Sequence, residues 1–127
     1  MSGRQQSQLL VNGRIFTGRE ILSKREVLLV DGMIQDVRLT TRATGDVPIV
    51  DLDGGLLAPG FIDCQVNGGG GVMFNDAPSV ETITRIAKAH RRFGTTGLLP
   101  TLITDSHARM AEAIDAVAAA LAEGVPG

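Results

Sequence analysis

Two side-chain amides, Gln65 and Asn67, close the run Phe61-Ile62-Asp63-Cys64-Gln65-Val66-Asn67, directly ahead of Gly68-Gly69-Gly70-Gly71. An amide is a poor ligand for zinc beside imidazole or carboxylate, yet it can hydrogen-bond a metal-bound water. Two roles are therefore open to Gln65: a place near the chemistry, or satisfying buried backbone groups at a strand end. Asn67 can orient the glycine segment or reach substrate, although Asn before Gly is also an ordinary turn pair. The glycines would let backbone N–H groups approach an anion closely. They lack the Lys-Ser/Thr pair and the Gly-x-Gly-x-x-Gly spacing of nucleotide loops, so a flexible loop at an active-site rim is expected instead.

The neighbouring reactive groups add little chemistry of their own. Asp63 could serve as ligand or base, but in a strand ending at Gln65 it is better suited to anchoring the loop through hydrogen bonds. His90 and His107 have no His or Cys at ligand spacing, so no metal site is expected within this chain; the first reads as partly packed and the second as a surface residue. Cys64 has no basic neighbour to stabilise a thiolate and reads as a small packing residue. Asp105 reads as a cap or turn former, and Thr101 and Thr104 follow a strand whose end can face a barrel mouth.

The elements that position these residues alternate. Phe61 to Val66 reads as a buried strand, and Val80, Ile83, Ala87 and His90 recur at helical spacing between Ser79 as N-cap and Gly94 as stop. Thr96 to Leu99 reads as a second strand. Met110, Ile114, Val117 and Leu121 mark the face of a second helix, with Asp105 or Ser106 at its start and Gly124 just past its end. The two strands begin about 35 residues apart with a helix between them, the size of a βαβ unit and hence of parallel strands. Before Leu56 the chain reads as a small β unit: Gln8 to Val11, Glu26 to Val30, Met33 to Val37 and Val47 to Leu52, with Asp31-Gly32 as a two-residue hairpin turn. Such a unit buries little apolar area and is expected to need further strands or a neighbour.

Composition limits the function classes. The 127 residues are 43% hydrophobic and 20% charged, with 12 basic and 14 acidic residues and a formal net charge of -2. There is no Trp or Tyr and no basic cluster, which argues against nucleic acid as a partner. No apolar run approaches the ~20 residues that span a bilayer, and Met1 to Gln8 is polar, so neither a membrane partner nor a signal peptide is expected. One cysteine cannot form an internal disulfide, which agrees with a cytoplasmic location.

A β segment, then Pro59-Gly60 and an apolar strand with polar side chains at its carboxyl end, then repeating βα units: this order resembles the amidohydrolase superfamily. Many members carry His-x-His where this chain has Gln65-Val66-Asn67. That substitution is similar to the N-acetylglucosamine-6-phosphate deacetylase family, as are Pro59-Gly60-Phe61-Ile62-Asp63, Asn67-Gly68-Gly69-Gly70-Gly71-Val72, Phe74-Asn75-Asp76 and Leu99-Pro100-Thr101-Leu102-Ile103-Thr104. The resemblance runs from about Leu9 to Gly124.

It implies an α/β chain that starts a (β/α)8 TIM-type barrel after part of a small β-sandwich domain, with residues 1–56 in the sandwich and 57–127 in the first two βα units. A barrel needs eight units in roughly 250 residues, so this chain would be about the first third of an enzyme. The implied reaction is metal-dependent hydrolysis, with zinc or iron activating water against the N-acetyl group of an amino-sugar phosphate; acetate and glucosamine 6-phosphate are the products. In the family the metal ligands are a Glu and two His, and a later Asp is the general base; all would lie beyond Gly127. Gln65, Asn67, Gly68 and Gly69 are then the residues near the active site, none of them catalytic, with Gln65 touching the metal through water. The complete enzyme is implied to be a homo-oligomer. The 127 residues alone are expected to be inactive and to need the rest of the barrel. Two alternatives stand: another amide hydrolase of the superfamily, or a non-catalytic module that pairs through its open sheet edge.

Overall fold

The computed structural model describes residues 6–40 and 46–127. The start of the chain, residues 1–5, lies outside the described residues. The chain divides into two compact units, Met1–Pro59 and Gly60–Gly127.

The first unit is a five-stranded sheet. β1 (Ser7–Phe16), β2 (Ile21–Val30) and β3 (Met33–Leu39) form an antiparallel meander; β4 (Ile49–Asp51) and β5 (Leu56–Leu57) run parallel to β1. Asp31 and Gly32 both have positive φ, 50° and 78°, and join Val30 to Met33 as the sequence predicts. The first two strands are longer than their apolar segments. Polar stretches around Asn12 and Lys24 interrupt the hydrophobic pattern, and the ladder passes through them with register shifts between Leu10 and Ile15. Asn12 and Lys24 take positive φ there, 57° and 55°. A bulge absorbs the extra residue while the strand continues, which a period-two pattern does not reveal. The turn at Thr17 to Glu20 joins the two strands, with Thr17 N donating to Glu20 O at 3.0 Å.

Leu9, Ile15 and Val27 are buried in this unit, and so is Glu26, at 1% exposure. Glu26 stands in register with Arg38 on the next strand, and Arg38 Nε donates to Glu26 Oε1 at 2.6 Å. The Glu26 carboxylate is thus buried, while Arg38 is exposed and lays its guanidinium against that carboxylate, offsetting its desolvation. Met33, Ile34 and Leu39 on the edge strand are exposed.

In the second unit, β6 (Phe61–Val66) and β9 (Thr95–Pro100) pair in parallel, with α1 (Val80–Arg91) between them and α2 (His107–Glu123) after them. Three caps are those the sequence predicts, whereas α1 is capped at Arg92, two residues before the expected stop at Gly94. Ser79 Oγ accepts from Thr82 N at 3.1 Å and Ser106 Oγ from Arg109 N at 3.2 Å, while Gly124 closes α2 in the left-handed region. Both helices pack through a core of Val66, Phe74, Ile83, Ile86, Ala87, Leu98, Ala113, Ala116 and Ala120.

Two expectations about this core are corrected. β6 is not a buried strand: only Val66 is buried, Ile62 is 72% exposed, and Cys64 is exposed rather than packed. In a two-stranded sheet with helices on one side, the opposite side has no cover. In α2 the alanines form the buried stripe, while Ile114 and Leu121 are 69% and 77% exposed. Small side chains allow the close approach of helix to helix, so the bulkier residues lie to the side. Met110, Ile114 and Val117 instead line a groove of about 460 Å³ with Phe74, Leu102 and Thr104.

Candidate functional site at the carboxyl ends of the parallel strands

The ladder between β6 and β9 pairs Asp63 with Leu98 and Val66 with Pro100, so Cys64 and Gln65 together stand opposite Leu99. This extra residue makes a bulge, and bulges re-aim side chains next to sites. Asp63 Oδ1 accepts from the Gln65 N–H at 3.2 Å, giving that amide a partner within its own strand. Gln65 is exposed.

The glycine segment corrects the expectation of a flexible loop. Gly68–Gly69 (β7) and Val72–Met73 (β8) form an antiparallel hairpin, and Gly70 and Gly71 supply its turn with φ of 62° and 81°. A two-residue turn with both φ values positive favours glycine. The hairpin is fastened to α1. Arg85 Nε donates to Gly70 O at 2.8 Å, and His90 Nε2 lies 3.0 Å from Gly68 O; a carbonyl only accepts, so Nε2 carries the proton in that contact. The other ring nitrogen of His90 is 4.0 Å from Asp63 Oδ2. At that distance no hydrogen bond joins them: Asp63 serves the bulge at Gln65, and His90 the hairpin at Gly68.

The reason for glycine at 68 and 69 is close packing. A Cβ on Gly69 would lie 2.8 Å from His90 Nε2, and one on Gly68 would lie 2.5 Å from Val72 O and 2.7 Å from Met73 Sδ. Gly68→Ala must therefore open the hairpin, at a cost of about 1–3 kcal/mol of stability measured by denaturant unfolding of the complete protein. Gly97→Ala is the control: its methyl meets Ile62 at 3.8 Å or beyond, and its effect stays within about 0.5 kcal/mol.

Asn67 spends its Nδ2 group on Thr101 O at 2.9 Å, which ties the end of β6 to the segment after β9. Thr101 Oγ1 donates to Leu99 O at 3.0 Å, and Thr104 faces the groove along α2. His90 is partly packed and His107 is exposed. Sequence reasoning missed Asn75, whose side chain bonds Ile103 on both its N–H and C=O. Its only local sign was the Phe74-Asn75-Asp76 motif.

Asp105 lies beside this cluster. The N–H of Ser106, 2.7 Å from Asp105 Oδ1, holds its carboxyl below the ordinary value against the opposing effect of desolvation; Asn75 and Arg109 act in the same lowering direction. A lowered folded value means that the stability Asp105 contributes is fully present above the ordinary aspartate pKa and is lost as pH falls through the lower folded value. A ¹³C carboxyl titration is expected to find Asp105 ionising below free aspartate, and Asp105→Asn to remove that part of the acid sensitivity.

Among the described residues no group of three or more His, Cys, Asp or Glu could hold a metal ion. The donors at the end of β6 are amides and backbone groups, so they do not fit a metal's first coordination shell. What they can do is hydrogen-bond and orient a ligand or a water.

The first unit belongs to a recognisable class. Residues 9–57 match the NagA composite domain. Within that class the chain is related to amino-sugar phosphate deacetylases. It is 44% identical over 122 residues, 94% of its length, to the N-acetylgalactosamine-6-phosphate deacetylase of Shewanella sp. (strain ANA-3), of which it covers 31%. It is 39% identical over 95 residues, 75% of its length, to the N-acetylglucosamine-6-phosphate deacetylase of Haemophilus influenzae, covering 25% of that protein. The crystal structure of N-acetylglucosamine-6-phosphate deacetylase from Pasteurella multocida superposes with a TM-score of 0.86 at 32% identity, over 91% of this chain and 31% of that one. The chain thus spans about a third or less of the length of these relatives.

Proposed function

We propose that the protein carrying this chain hydrolyses the N-acetyl group of N-acetylglucosamine 6-phosphate. The observation that carries this reading is the 39% identity to the Haemophilus N-acetylglucosamine-6-phosphate deacetylase over 75% of the chain, supported by the 0.86 TM-score to the Pasteurella deacetylase. In the reaction the amide C–N bond breaks, the water oxygen joins the acetyl carbon, and the water's protons pass to the amine and the medium. Acetate and glucosamine 6-phosphate result.

In this reading β6–α1–β9–α2 begins a (β/α)8 barrel, and residues 1–56 are part of a small β-sandwich domain. Gln65 orients water or the acetyl group by hydrogen bonding, and the hairpin of Gly68 and Gly69 forms one wall of the site. Neither residue transfers a proton. The divalent metal, zinc or iron, that the superfamily uses would be held by residues outside this chain, and the complete enzyme would be a homo-oligomer. The galactosamine epimer is a second substrate reading, favoured by the name of the Shewanella relative.

The test is acetate and free-amine release by the complete protein from both 6-phosphates. Release from the glucosamine derivative is expected. Release from the galactosamine epimer alone favours the second reading, and release from neither overturns both.

A further inference from the structure

The segment from Thr101 to Asp105 leaves the sheet after β9, and asparagine side chains replace the ladder there. Regular pairing ends where Thr101 N donates to Val66 O at 2.8 Å. Asn67 Nδ2 then donates to Thr101 O at 2.9 Å. Two residues on, Asn75 Nδ2 donates to Ile103 O at 2.9 Å and Asn75 Oδ1 accepts from Ile103 N at 2.8 Å. Asn75 Nδ2 also reaches Asp105 Oδ2 at 3.4 Å.

A primary amide reproduces both halves of a peptide group, so Asn75 pairs with Ile103 as a neighbouring strand would. Aspartate can only accept when ionised, and alanine can do neither. The helix that follows does not need Asn75, because Ser106 caps it. The effect of Asn75 falls on the segment Thr101–Asp105, at the carboxyl end of β9.

We infer that Asn75 is a positioning residue that holds Thr101–Asp105 in one conformation before substrate arrives. This rests on the deacetylase reading above for the substrate. A segment already ordered does not have to be ordered by the ligand, so its loss weakens binding rather than the chemical step.

The experiment compares complete wild-type protein with Asn75→Ala, Asn75→Asp and Asn75→Asp/Asp105→Asn, using whichever 6-phosphate the wild type hydrolyses. Asn75→Ala is expected to raise KM about tenfold, with kcat per folded molecule within about threefold. Hydrogen exchange at the Ile103 amide should accelerate in the same variant. Asn75→Asp should raise KM further, since it loses the donor and sets a carboxylate beside Asp105. The double variant removes the facing carboxylates but returns no donor to Ile103 O, so it should recover only that added rise in KM.

An unchanged KM, with kcat falling only in proportion to the folded fraction, means a merely structural role and overturns the inference. Unchanged exchange at Ile103 overturns it whatever the activity. Wild-type protein that releases acetate from neither sugar overturns the proposed function, and the substrate part of this inference with it.

Discussion

Gln65→Ala in the complete enzyme lowers turnover by about 100-fold and leaves the unfolding midpoint within about 2 °C of wild type. The two halves of this result have separate causes. Gln65 stands on the bulge of β6, and its backbone N–H is held by Asp63 Oδ1 of the same strand, so removing the side chain leaves that local bond in place. Its amide stands at the carboxyl end of the strand, beside the hairpin of Gly68 and Gly69; on the proposed deacetylase reading, its hydrogen bond to water or to the acetyl group orients the reacting atoms. Loss of an orienting group of that kind costs 10–100-fold in related settings, and we expect the upper end because Asn67, the other amide at this strand end, already spends its Nδ2 on Thr101 O. The measurements are kcat on purified protein and a thermal melt of the same sample. Equal loss of folding and activity would return Gln65 to a structural role.

Phe74→Ala destabilises the complete protein by about 3–5 kcal/mol, the range for emptying a large aromatic from a close-packed core. Phe74 is 1% exposed and sits among Val66, Ile83, Ile86 and the alanines of α2. Its backbone N–H donates to Asn67 O at 2.7 Å, so the residue that fills the core also fastens the hairpin beneath the site. Activity at a temperature where the variant remains folded is therefore expected to fall as well. Chemical denaturation measures the first effect. A loss below about 1 kcal/mol would mean that the pocket collapses around the missing ring, or that Phe74 is not where the core is held.

Much of the frame was legible because its signals are local. Asp31-Gly32 specifies a turn within two residues, and Ser79, Ser106 and Gly124 mark helix ends through bonds to residues at most four away. The helical period placed Ile83 and Ala87 in the core correctly. The same period misplaced the buried stripe of α2. Ala113, Ala116 and Ala120 carry weak hydrophobic signals, and what buries them is the distance of closest approach between two helices. The N-terminal strands were read too short, because bulges at Asn12 and Lys24 let polar residues pass through a continuous ladder.

The site divides in the same way. By itself the amino-acid sequence determined the order of strand and helix, the placement of Gln65, Asn67 and the glycines at a strand end, and the resemblance those residues carry. Tertiary structure alone decided that Cys64 and Gln65 form a bulge, that Arg85 and His90 fasten the glycine hairpin, and that Asn75 stands in for a strand against Ile103. These contacts join residues 15 to 35 positions apart, through ladder register and hydrogen-bond geometry. A linear pattern records which groups can donate and accept, but only the folded backbone sets which of them come within 3 Å of each other.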